Sequence, residues 1–505
     1  MMDVATQPPP AKVLAVDRLH EAWPVAALTA AMGALVFWHL GRKSIWRDEG
    51  FSISTSLRSW PSLARLTIHK ETNGALYAFT LKAWSAFGQS ETALRSLSAV
   101  SVVALVPAVY SLTRRLASQR AALLAGALVV AHGSVVTYGQ QIRTYGPSML
   151  LAAVASILFV EEVRAPRWIM LVGWAAVSVA LVYCHTMGIT LIVGQLAALL
   201  LLPRADRHLV RRVGTAVIVG VLVSPVPILV SAHEEGQGLF ALTLGMFRDV
   251  LYVMTGRAGA AGLVAFGLLA VLTAHAVPAC RRAGDGWARW SLGYLMVASA
   301  VPAGLMVAYS AVRPVLIGRY LLFLLPGVLA LGGIVLDHTL GGDRPKVLAR
   351  PAVSVLVVLA ILLGVGRGAW WWVSDGGVED WRAAATVVFS EAKPGDAVLF
   401  ANDSVRLFFE YYRGRIGHQS EPEPVYPPPA WGSYGTGDQT YASFTAAEAD
   451  QALASHQRVW FVVGRKHAHV AEASTYLDQL AKEGVVTEVH WLGHDVHVVL
   501  AERHP

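Results

Sequence analysis

Trp46-Arg47-Asp48-Glu49-Gly50 stands directly after the first long apolar run of the chain and brings two acids beside an arginine. A second polar group follows at His69-Lys70-Glu71-Thr72-Asn73. The chain around them is mostly apolar, because 55% of its 505 residues are hydrophobic and 15% are charged, whereas soluble domains carry about 25% charged residues. We therefore predict that Asp48 performs the chemistry and that the rest of the chain brings two substrates to it.

The apolar residues recur in runs of about 18 to 22, which is the length that crosses a bilayer as a helix. This repetition predicts a mainly α-helical polytopic membrane protein. The polar, proline-containing residues 1–21 predict a disordered cytoplasmic N-terminus before it. We expect a transmembrane domain over residues 22–368 with about eleven spans. The predicted spans are 22–40, 91–112, 120–137, 146–161, 168–184, 187–202, 213–231, 259–277, 290–310, 318–337 and 350–368.

The first external loop, residues 41–90, contains a shorter apolar segment at 74–87. Its length of about 14 residues corresponds to some 21 Å of helix, which is too short to cross the membrane. Leu76, Phe79 and Ala83 fall at helical spacing on one face. The segment therefore predicts an amphipathic helix that lies in the membrane interface.

The net charge of +7 reflects membrane topology rather than binding to nucleic acid. Most Lys and Arg residues of the later loops lie on one side of the predicted spans, and the positive-inside rule makes that side cytoplasmic. The N-terminus is then cytoplasmic and the C-terminal domain extracytoplasmic, with Cys184 and Cys280 on opposite sides, which disfavours a disulfide. Arg42, Lys43 and Arg47 stand outside against the rule; either the later loops outweigh them, or they attract an anionic substrate.

Residues 369–505 predict an extracytoplasmic α/β domain, since strand-like and helix-like stretches alternate there. The tryptophans at 370–372 mark the outer interface before it. The predicted helices are 379–391, 404–412, 445–455 and 470–483, and the predicted strands are 397–401, 458–463, 486–492 and 496–501. Alternation on half-buried strands accounts for most histidines of this domain better than a metal site does. These are His467, His469, His490, His494 and His497.

Polar side chains collect in the loops that this topology places on the outer face. A single histidine at a helix end is usually only capped or solvated, but polar groups at bilayer depth are costly, so their joint placement indicates a functional site. The candidates are Asp48, Glu49, His69, Glu71 and Asn73 in the first loop, Arg143 and Tyr145 in a later one, His185, and Arg313, Arg319 and Tyr320.

This mixture of groups suits transfer of a sugar from a lipid phosphate to a hydroxyl. Breaking the bond between the anomeric carbon and the phosphate oxygen builds negative charge, which arginines neutralise. A carboxylate that takes the acceptor proton contributes about 10²–10⁴-fold. The catalytic candidates are Asp48 and Glu49, and the donor-phosphate candidates are Arg143, Tyr145, Arg319, Tyr320 and Arg313.

A second acid in the first loop has three open roles: binding the acceptor, holding a divalent cation such as Mg²⁺ or Mn²⁺, or stabilising the loop. A phosphate leaving group needs no protonation, so one base and basic side chains suffice for the chemistry above, and the sequence does not establish a metal requirement. The candidates for the acceptor or second-acid role are Glu71, His69, Asn73 and His185, and those for a metal are Glu49, Glu71 and His185.

The order and spacing of these motifs resemble the GT-C superfamily of integral membrane glycosyltransferases. They are most similar to its protein O-mannosyltransferase-like branch, glycosyltransferase family 39, which also holds aminoarabinose transferases. The matching residues are Asp48-Glu49, 71–77, Trp84, Gly88, 91–95, 138–145, His185, Arg313-Pro314, Arg319-Tyr320, 379–382 and 394–396. The resemblance implies a GT-C fold in a bacterial plasma membrane, a polyprenyl-phosphate sugar donor, and a glycan, lipid or protein acceptor. It also implies inversion at the anomeric carbon, with Asp48 as general base.

Two positions depart from the pattern of this family. Asn73-Gly74-Ala75 stands where many relatives carry a Pro-Pro pair before the Leu-Tyr of the first loop, which bears on acceptor recognition. Gln141 stands where many relatives carry glutamate, which removes one potential metal ligand.

Two other classes of protein compete with a glycosyltransferase. A transporter or flippase for a lipid-linked or anionic substrate places polar residues mid-span and often has broken helices, whereas here the predicted spans are nearly free of charge. A non-enzymatic scaffold that displays residues 373–505 leaves the acids and arginines of the loops unexplained. The sequence therefore favours the enzyme.

Overall fold

The computed structural model describes most of the chain. The described residues are 11–69, 72–202, 208–223, 225, 242–282, 286–313, 315–341, 351–374, 379–401, 404–417, 420–428, 430–432, 443–464, 471–492 and 496–502. Glu71, a predicted site residue, lies outside them, as do His467, His469 and His494.

Helices dominate the described residues, and a small sheet lies near the C-terminus. The helices are α1 Ala11–Phe37, α2 Arg47–Leu57, α3 Trp60–His69, α4 Ala75–Trp84, α5 Glu91–Leu116, α6 Gln119–Ala131, α7 Gly133–Gly139, α8 Tyr145–Arg164, α9 Trp168–Cys184, α10 Ile189–Ala198, α11 Leu209–Val223, α12 Leu244–Met254, α13 Gly259–Arg282, α14 Gly286–Val312, α15 Leu325–Leu340, α16 Pro351–Ser374, α17 Trp381–Glu391, α18 Arg406–Tyr412, α19 Ala446–Ser455 and α20 Ala471–Lys482. Short 3₁₀ helices occupy Ser85–Phe87, Thr186–Gly188, Leu199–Leu201 and Gly318–Leu324. The strands are β1 Ala397–Phe400, β2 Glu423–Tyr426, β3 Arg458–Gly464, β4 Val486–Leu492 and β5 Val496–Glu502.

Six helices in the described part of the chain are long and apolar enough to cross a membrane, or seven if α6 and α7 form one bent span. Three shorter apolar helices, Ala22–Phe37, Trp168–Cys184 and Thr186–Leu201, coincide with further predicted spans. The polytopic helical character is therefore confirmed, while the count of eleven spans stays a prediction.

The span predicted at 120–137 is interrupted rather than continuous. Its two halves, α6 and α7, meet at an angle of 57°. His132 between them has non-helical backbone angles, φ −70° and ψ 111°. A Cβ added to Gly133 would lie 2.1 Å from the Gly256 carbonyl oxygen, so only glycine fits the bend.

The described chain divides into two compact units. The first, which we call the helical unit, comprises Met1–Trp38, Ser98–Gln140 and Thr144–Ser374. The second, the mixed unit, comprises His39–Leu97, Gln141–Arg143 and Asp375–Pro505. The first external loop thus groups with the C-terminal residues, and α16 continues six residues beyond the predicted boundary at 368 to Ser374.

Close helix packing through small residues organises the helical unit. On α15, a Cβ added to Gly333 would lie 2.5 Å from the Ala121 carbonyl oxygen and 2.6 Å from Ala125 Cβ on α6. Small residues allow such close approach where lipid supplies no hydrophobic drive between helices. The fixed α6–α15 contact is part of the scaffold that carries the polar residues at the helix ends.

A five-stranded sheet with the order β2-β1-β3-β5-β4 forms the core of the mixed unit. The pairs β1–β2 and β1–β3 are parallel, whereas β3–β5 and β5–β4 are antiparallel. The four predicted strands and four predicted helices of this region all occur, with ends that differ by at most two residues. The sequence missed β2, because its four residues Glu423–Tyr426 lie on a sheet edge inside a proline-rich stretch.

The first external loop folds into three helices of the mixed unit. Residues 74–87, predicted as one amphipathic helix, form α4 and the 3₁₀ turn Ser85–Phe87. The preceding α2 packs on α18, where a Cβ on Gly50 would lie 2.9 Å from Phe408 Cε1. This contact fixes the helix that carries Asp48 and Glu49.

Candidate active site

Asp48 and Glu49 lie in the first turn of α2. Trp46 precedes the helix with extended backbone angles, φ −113° and ψ 172°, and its N–H donates to Glu49 Oε2 at 3.3 Å. Acids in a first turn face the positive end of the helix dipole, which stabilises their charge. The two neighbouring carboxylates nevertheless have different surroundings.

The Glu49 carboxylate is fully buried and held by Arg95. Arg95 Nε donates to Glu49 Oε1 at 2.8 Å and Arg95 Nη2 donates to Oε2 at 2.7 Å, in a bidentate ion pair whose side chains are 3% and 0% exposed. The backbone N–H of Ile142 also donates to Glu49 Oε1, at 2.8 Å. Both oxygens therefore accept hydrogen bonds from the protein itself, which is the environment of a positioning carboxylate rather than of a metal ligand.

Arg95 uses its remaining donors to hold the start of the first loop. Its Nη1 donates to the carbonyl oxygens of Leu40 at 3.0 Å and Lys43 at 2.8 Å, and its Nη2 donates to that of Ser44 at 3.1 Å. Arg95 stands at the start of α5, so one buried guanidinium connects α5, α2 and the segment before α2. In the sequence, Arg95 stands out only as part of the 91–95 motif of the family that the chain resembles. Its ion-pair partner Glu49 is 46 residues away, so no local pattern connects the two.

Asp48 keeps part of its surface accessible and lies beside Arg143. Its side chain is 14% exposed, and that of Arg143 is 21% exposed, with 3.8 Å between Arg143 Nη2 and Asp48 Oδ2. Arg143 Nη1 donates to the Asp48 carbonyl oxygen at 3.2 Å and to Ser52 Oγ at 3.3 Å. Because Ile142 is held by Glu49, the Glu49–Arg95 pair also fixes the backbone that carries Arg143. An accessible carboxylate and a guanidinium thus stand together in the mixed unit.

A second group of predicted site residues lies in the helical unit, around His185. This residue is 3% exposed, and the centre of its ring lies 5.4 Å from that of the Tyr320 ring and 5.9 Å from that of the Tyr145 ring. The Tyr145 ring in turn lies 5.0 Å from that of Tyr138. The Arg319 guanidinium is 5.7 Å from the Tyr320 ring, within the range of a cation–π contact. Four of the predicted residues, Tyr145, His185, Arg319 and Tyr320, are therefore neighbours.

Arg257 is a candidate that the sequence analysis did not single out. Its φ of +59° is in the left-handed region, which is uncommon for a residue other than glycine. Its guanidinium lies 5.4 Å from the Tyr252 ring and 5.9 Å from the rings of Tyr138 and Trp372. Strained backbone of this kind concentrates at functional sites. The available sequence signal was Gly256-Arg257 at the end of an apolar helix.

The remaining predicted site residues have less defined surroundings. His69 ends α3 and is exposed, Asn73 is exposed, and Arg313 is partly exposed. The buried residue between the first two, Thr72, donates from Oγ1 to the Thr67 carbonyl oxygen at 2.9 Å. Of the positions that depart from the family pattern, Asn73 is thus at the surface of the mixed unit, whereas Gln141 is buried.

The metal candidates also differ in what their side chains contact. Glu49 is engaged by Arg95, as above, and His185 is packed among aromatic rings. Within the described ranges, one group of three potential ligands has atoms within 4.8 Å of one another: Glu391, Glu488 and His490. Both glutamates are exposed, as is common for surface acids without an ion.

A polar cluster ties the C-terminal residues of the mixed unit to its first loop. Arg382 forms an ion pair with Glu91, and Tyr412 Oη donates to Glu91 Oε1 at 2.5 Å. Tyr412 Oη also accepts from the Ile45 N–H at 3.1 Å. Burial and the Glu91 charge raise the pKa of Tyr412 above its usual range, so the phenol keeps the proton that it donates. The cluster stabilises the segment that leads into α2.

Comparison with known proteins finds one family model and several solved structures that are similar to this chain. The family model described as dolichyl-phosphate-mannose-protein mannosyltransferase matches residues 74–230. Among solved structures, ArnT from Cupriavidus metallidurans bound to undecaprenyl phosphate is similar with a TM-score of 0.59 and 14% identity, over 94% of this chain and 97% of that chain. No curated protein matches the chain by sequence.

A second solved structure has the same fold. The archaeal oligosaccharyltransferase AglB from Archaeoglobus fulgidus, in complex with an inhibitory peptide and a dolichol phosphate, is similar with a TM-score of 0.53 and 11% identity, over 88% of this chain and 69% of that chain. The chain has the GT-C fold of these two structures, which confirms the fold that the motifs predicted.

Proposed function

We propose that this protein is a membrane glycosyltransferase that moves a sugar from a polyprenyl-phosphate-linked donor to a hydroxyl group of a cell-envelope acceptor. Three findings support the reaction class: the GT-C fold, the matching family model, and the undecaprenyl phosphate that the similar ArnT structure holds. The observation that carries the residue assignment is the contrast between an accessible Asp48 beside Arg143 and a buried, fully engaged Glu49.

Asp48 acts as the general base. In the reaction the anomeric carbon–oxygen bond to the phosphate breaks, and its electron pair stays on the phosphate. The acceptor oxygen forms the new bond to the anomeric carbon on the opposite face, which inverts the configuration. Its proton passes to the Asp48 carboxylate, whose 14% exposure leaves it open to a bound hydroxyl.

Arginines stabilise the phosphate as it leaves. Arg143 is supported for this role by its partial exposure and by its hydrogen bond to Ser52, which orients the guanidinium. Arg319, in the helical unit, is assigned the same role. It lies beside the Tyr320 ring, and Arg313 is close to it in sequence. Guanidinium groups match phosphate oxygens in a fork and strengthen their interaction as negative charge develops. Tyr145 and Tyr320 line the aromatic surroundings of His185 and serve donor binding.

Glu49 is a positioning residue in this scheme rather than a second base. Its carboxylate holds Arg95 and the Ile142 N–H, and so keeps both Asp48, at the start of α2, and Arg143, which follows Ile142, in their places. His69 and Asn73, exposed in the first loop, are assigned to the acceptor.

The proposal is tested by Asp48→Asn in the purified full-length chain. The amide has nearly the same shape but is not a base, so sugar transfer should fall by about 10²-fold or more while thermal unfolding is unchanged. Arg65→Ala, which removes an exposed charge of the same loop, is the matched control. Turnover near that of the wild type in Asp48→Asn would refute the base assignment.

A further inference from the structure

A cavity of about 340 Å³ opens within the helical unit, away from the residues discussed so far. Its volume falls in the range of small-ligand sites, about 300–1,000 Å³. It lies where α5 and α8 end and α14 begins, and the side chains that matter here are Arg114, Arg115, Arg164, Trp287 and His338. Tyr145 and Arg164 are the two ends of the 20-residue α8, so about 30 Å of helix separates the cavity from the His185 cluster.

Glu161, the acid that pairs with the cavity-lining Arg115, is already neutralised by arginines. Arg115 Nε donates to Glu161 Oε1 at 2.5 Å, and Arg167 lies 3.7 Å from Glu161 Oε2. The neighbouring Glu162 is held by Arg211 and Arg212. The acids of this helix end therefore have arginine partners of their own and leave the cavity positive.

Arg114 and Arg164 supply the uncompensated charge. Both side chains are exposed, and no ion pair to an acid is found for either of them among the described residues. A positive-inside bias accounts for arginines in loops, but it does not require two of them to line one cavity. Two such guanidinium groups facing one space are a recognition element for an anion.

Trp287 gives the cavity a rigid, partly apolar wall. Its Nε1 donates to the Arg115 carbonyl oxygen at 3.1 Å, and its ring stacks on that of Trp290 with centroids 5.0 Å apart. The Arg164 guanidinium lies 6.0 Å from the Trp287 ring. Tryptophan of this kind is typical of the headgroup level of a membrane.

We propose that this cavity binds the phosphate group of an anionic phospholipid, with Arg114 and Arg164 as its ligands and Trp287 as its wall. Arginine matches phosphate oxygens bidentately. Basic pockets between transmembrane helices are sites where anionic headgroups bind. A free phosphate ion offers the same chemistry, but the position of the cavity at the ends of apolar helices favours the lipid.

The test measures binding of phosphatidylglycerol to the full-length chain in detergent by native mass spectrometry, with phosphatidylcholine as the neutral lipid. Arg114→Gln and Arg164→Gln should each weaken phosphatidylglycerol about fivefold, and together about 25-fold, at unchanged phosphatidylcholine binding. Arg289→Gln is the matched control, because Arg289 is an exposed arginine of α14 that does not line the cavity. Thermal unfolding of each variant reports that the fold is retained.

A second arm separates the lipid from a free ion. Inorganic phosphate at millimolar concentration is offered to delipidated protein, and binding is followed by the shift of the unfolding temperature. Inorganic phosphate is also added to the lipid-binding measurement as a competitor. Phosphatidylglycerol binding that depends on both arginines and persists in the presence of inorganic phosphate supports the proposal. The proposal is overturned if phosphatidylglycerol binds the double variant as tightly as the wild type, if Arg289→Gln weakens it equally, or if only inorganic phosphate binds.

Discussion

At the scale of single residues, two adjacent acids have contrasting surroundings. Asp48 is partly exposed beside Arg143, whereas Glu49 has no exposed side-chain surface and accepts from Arg95 and Ile142. A buried charge that loses its partner costs far more than an exposed one. The two acids should therefore respond differently to the same chemical change.

Glu49→Gln should lower the stability of the protein, because it leaves the buried Arg95 charge without its partner. Breaking a buried ion pair from one side costs about 3–5 kcal/mol. Thermal unfolding in detergent measures this loss, and Asp48→Asn, which removes the adjacent charge, is the control that should unfold like the wild type. An unfolding temperature of Glu49→Gln equal to that of the wild type would contradict the positioning role.

Arg143→Ala should impair use of the donor more than use of the acceptor. Loss of one preorganised donor to a developing charge costs about 10²–10³-fold in rate. Steady-state kinetics with donor and acceptor varied separately would measure it, and Arg319→Ala should behave alike. Unchanged kcat and KM for the donor in both variants would remove these arginines from the phosphate site.

At the scale of elements, the fit of α2 against α18 determines where Asp48 stands. Phe408 on α18 is fully buried and stacks on Trp381 with ring centroids 4.6 Å apart. A side chain added at Gly50 would clash with the Phe408 ring. Since both aromatic rings are fully buried, they have little room to move away from an added side chain.

Gly50→Ala should therefore destabilise the mixed unit and reduce activity together. Overpacking of this kind costs about 1–3 kcal/mol. Gly417→Ala is the matched control, because a Cβ there meets nothing within 4 Å. Unfolding temperatures and transfer rates of the two variants check the prediction; equal behaviour would show that α2 can shift away from α18 at little cost.

The elements also show which features a sequence reveals. Strands such as Arg458–Gly464 and Val496–Glu502 were predictable, because their apolar character and flanking turns are local signals. The bend at His132 was not, because it depends on contact of Gly133 with Gly256, far along the chain. The Glu49–Arg95 pair was missed for the same reason, and without it the sequence predicted Asp48 as the base but left the role of Glu49 open.

At the scale of the whole molecule, the topology rests on the charges of the loops. The structure gives six or seven long candidate spans in its described residues, so the sidedness is still drawn from the positive-inside rule. That rule predicts a cytoplasmic N-terminus and extracytoplasmic C-terminal residues. We therefore propose that the reaction takes place on the outer face of the membrane.

A reporter fused after Pro505 should accordingly be active outside the cytoplasm. Alkaline phosphatase and green fluorescent protein fusions at this position distinguish the two sides, because each works in one compartment. The same pair of reporters fused before Met1 is the control and should give the opposite pattern. A fluorescent C-terminal fusion would mean that the predicted parity of the spans is wrong.

The central claim is that the protein breaks the sugar–phosphate bond rather than carrying the lipid-linked sugar across the membrane. The most direct measurement reconstitutes the full chain in liposomes with a panel of polyprenyl-phosphate sugars and cell-envelope acceptors, and quantifies free polyprenyl phosphate and transferred sugar together. We expect one polyprenyl phosphate released per sugar transferred with the wild type, and neither product with Asp48→Asn. Translocation of intact donor without release of polyprenyl phosphate would contradict the account.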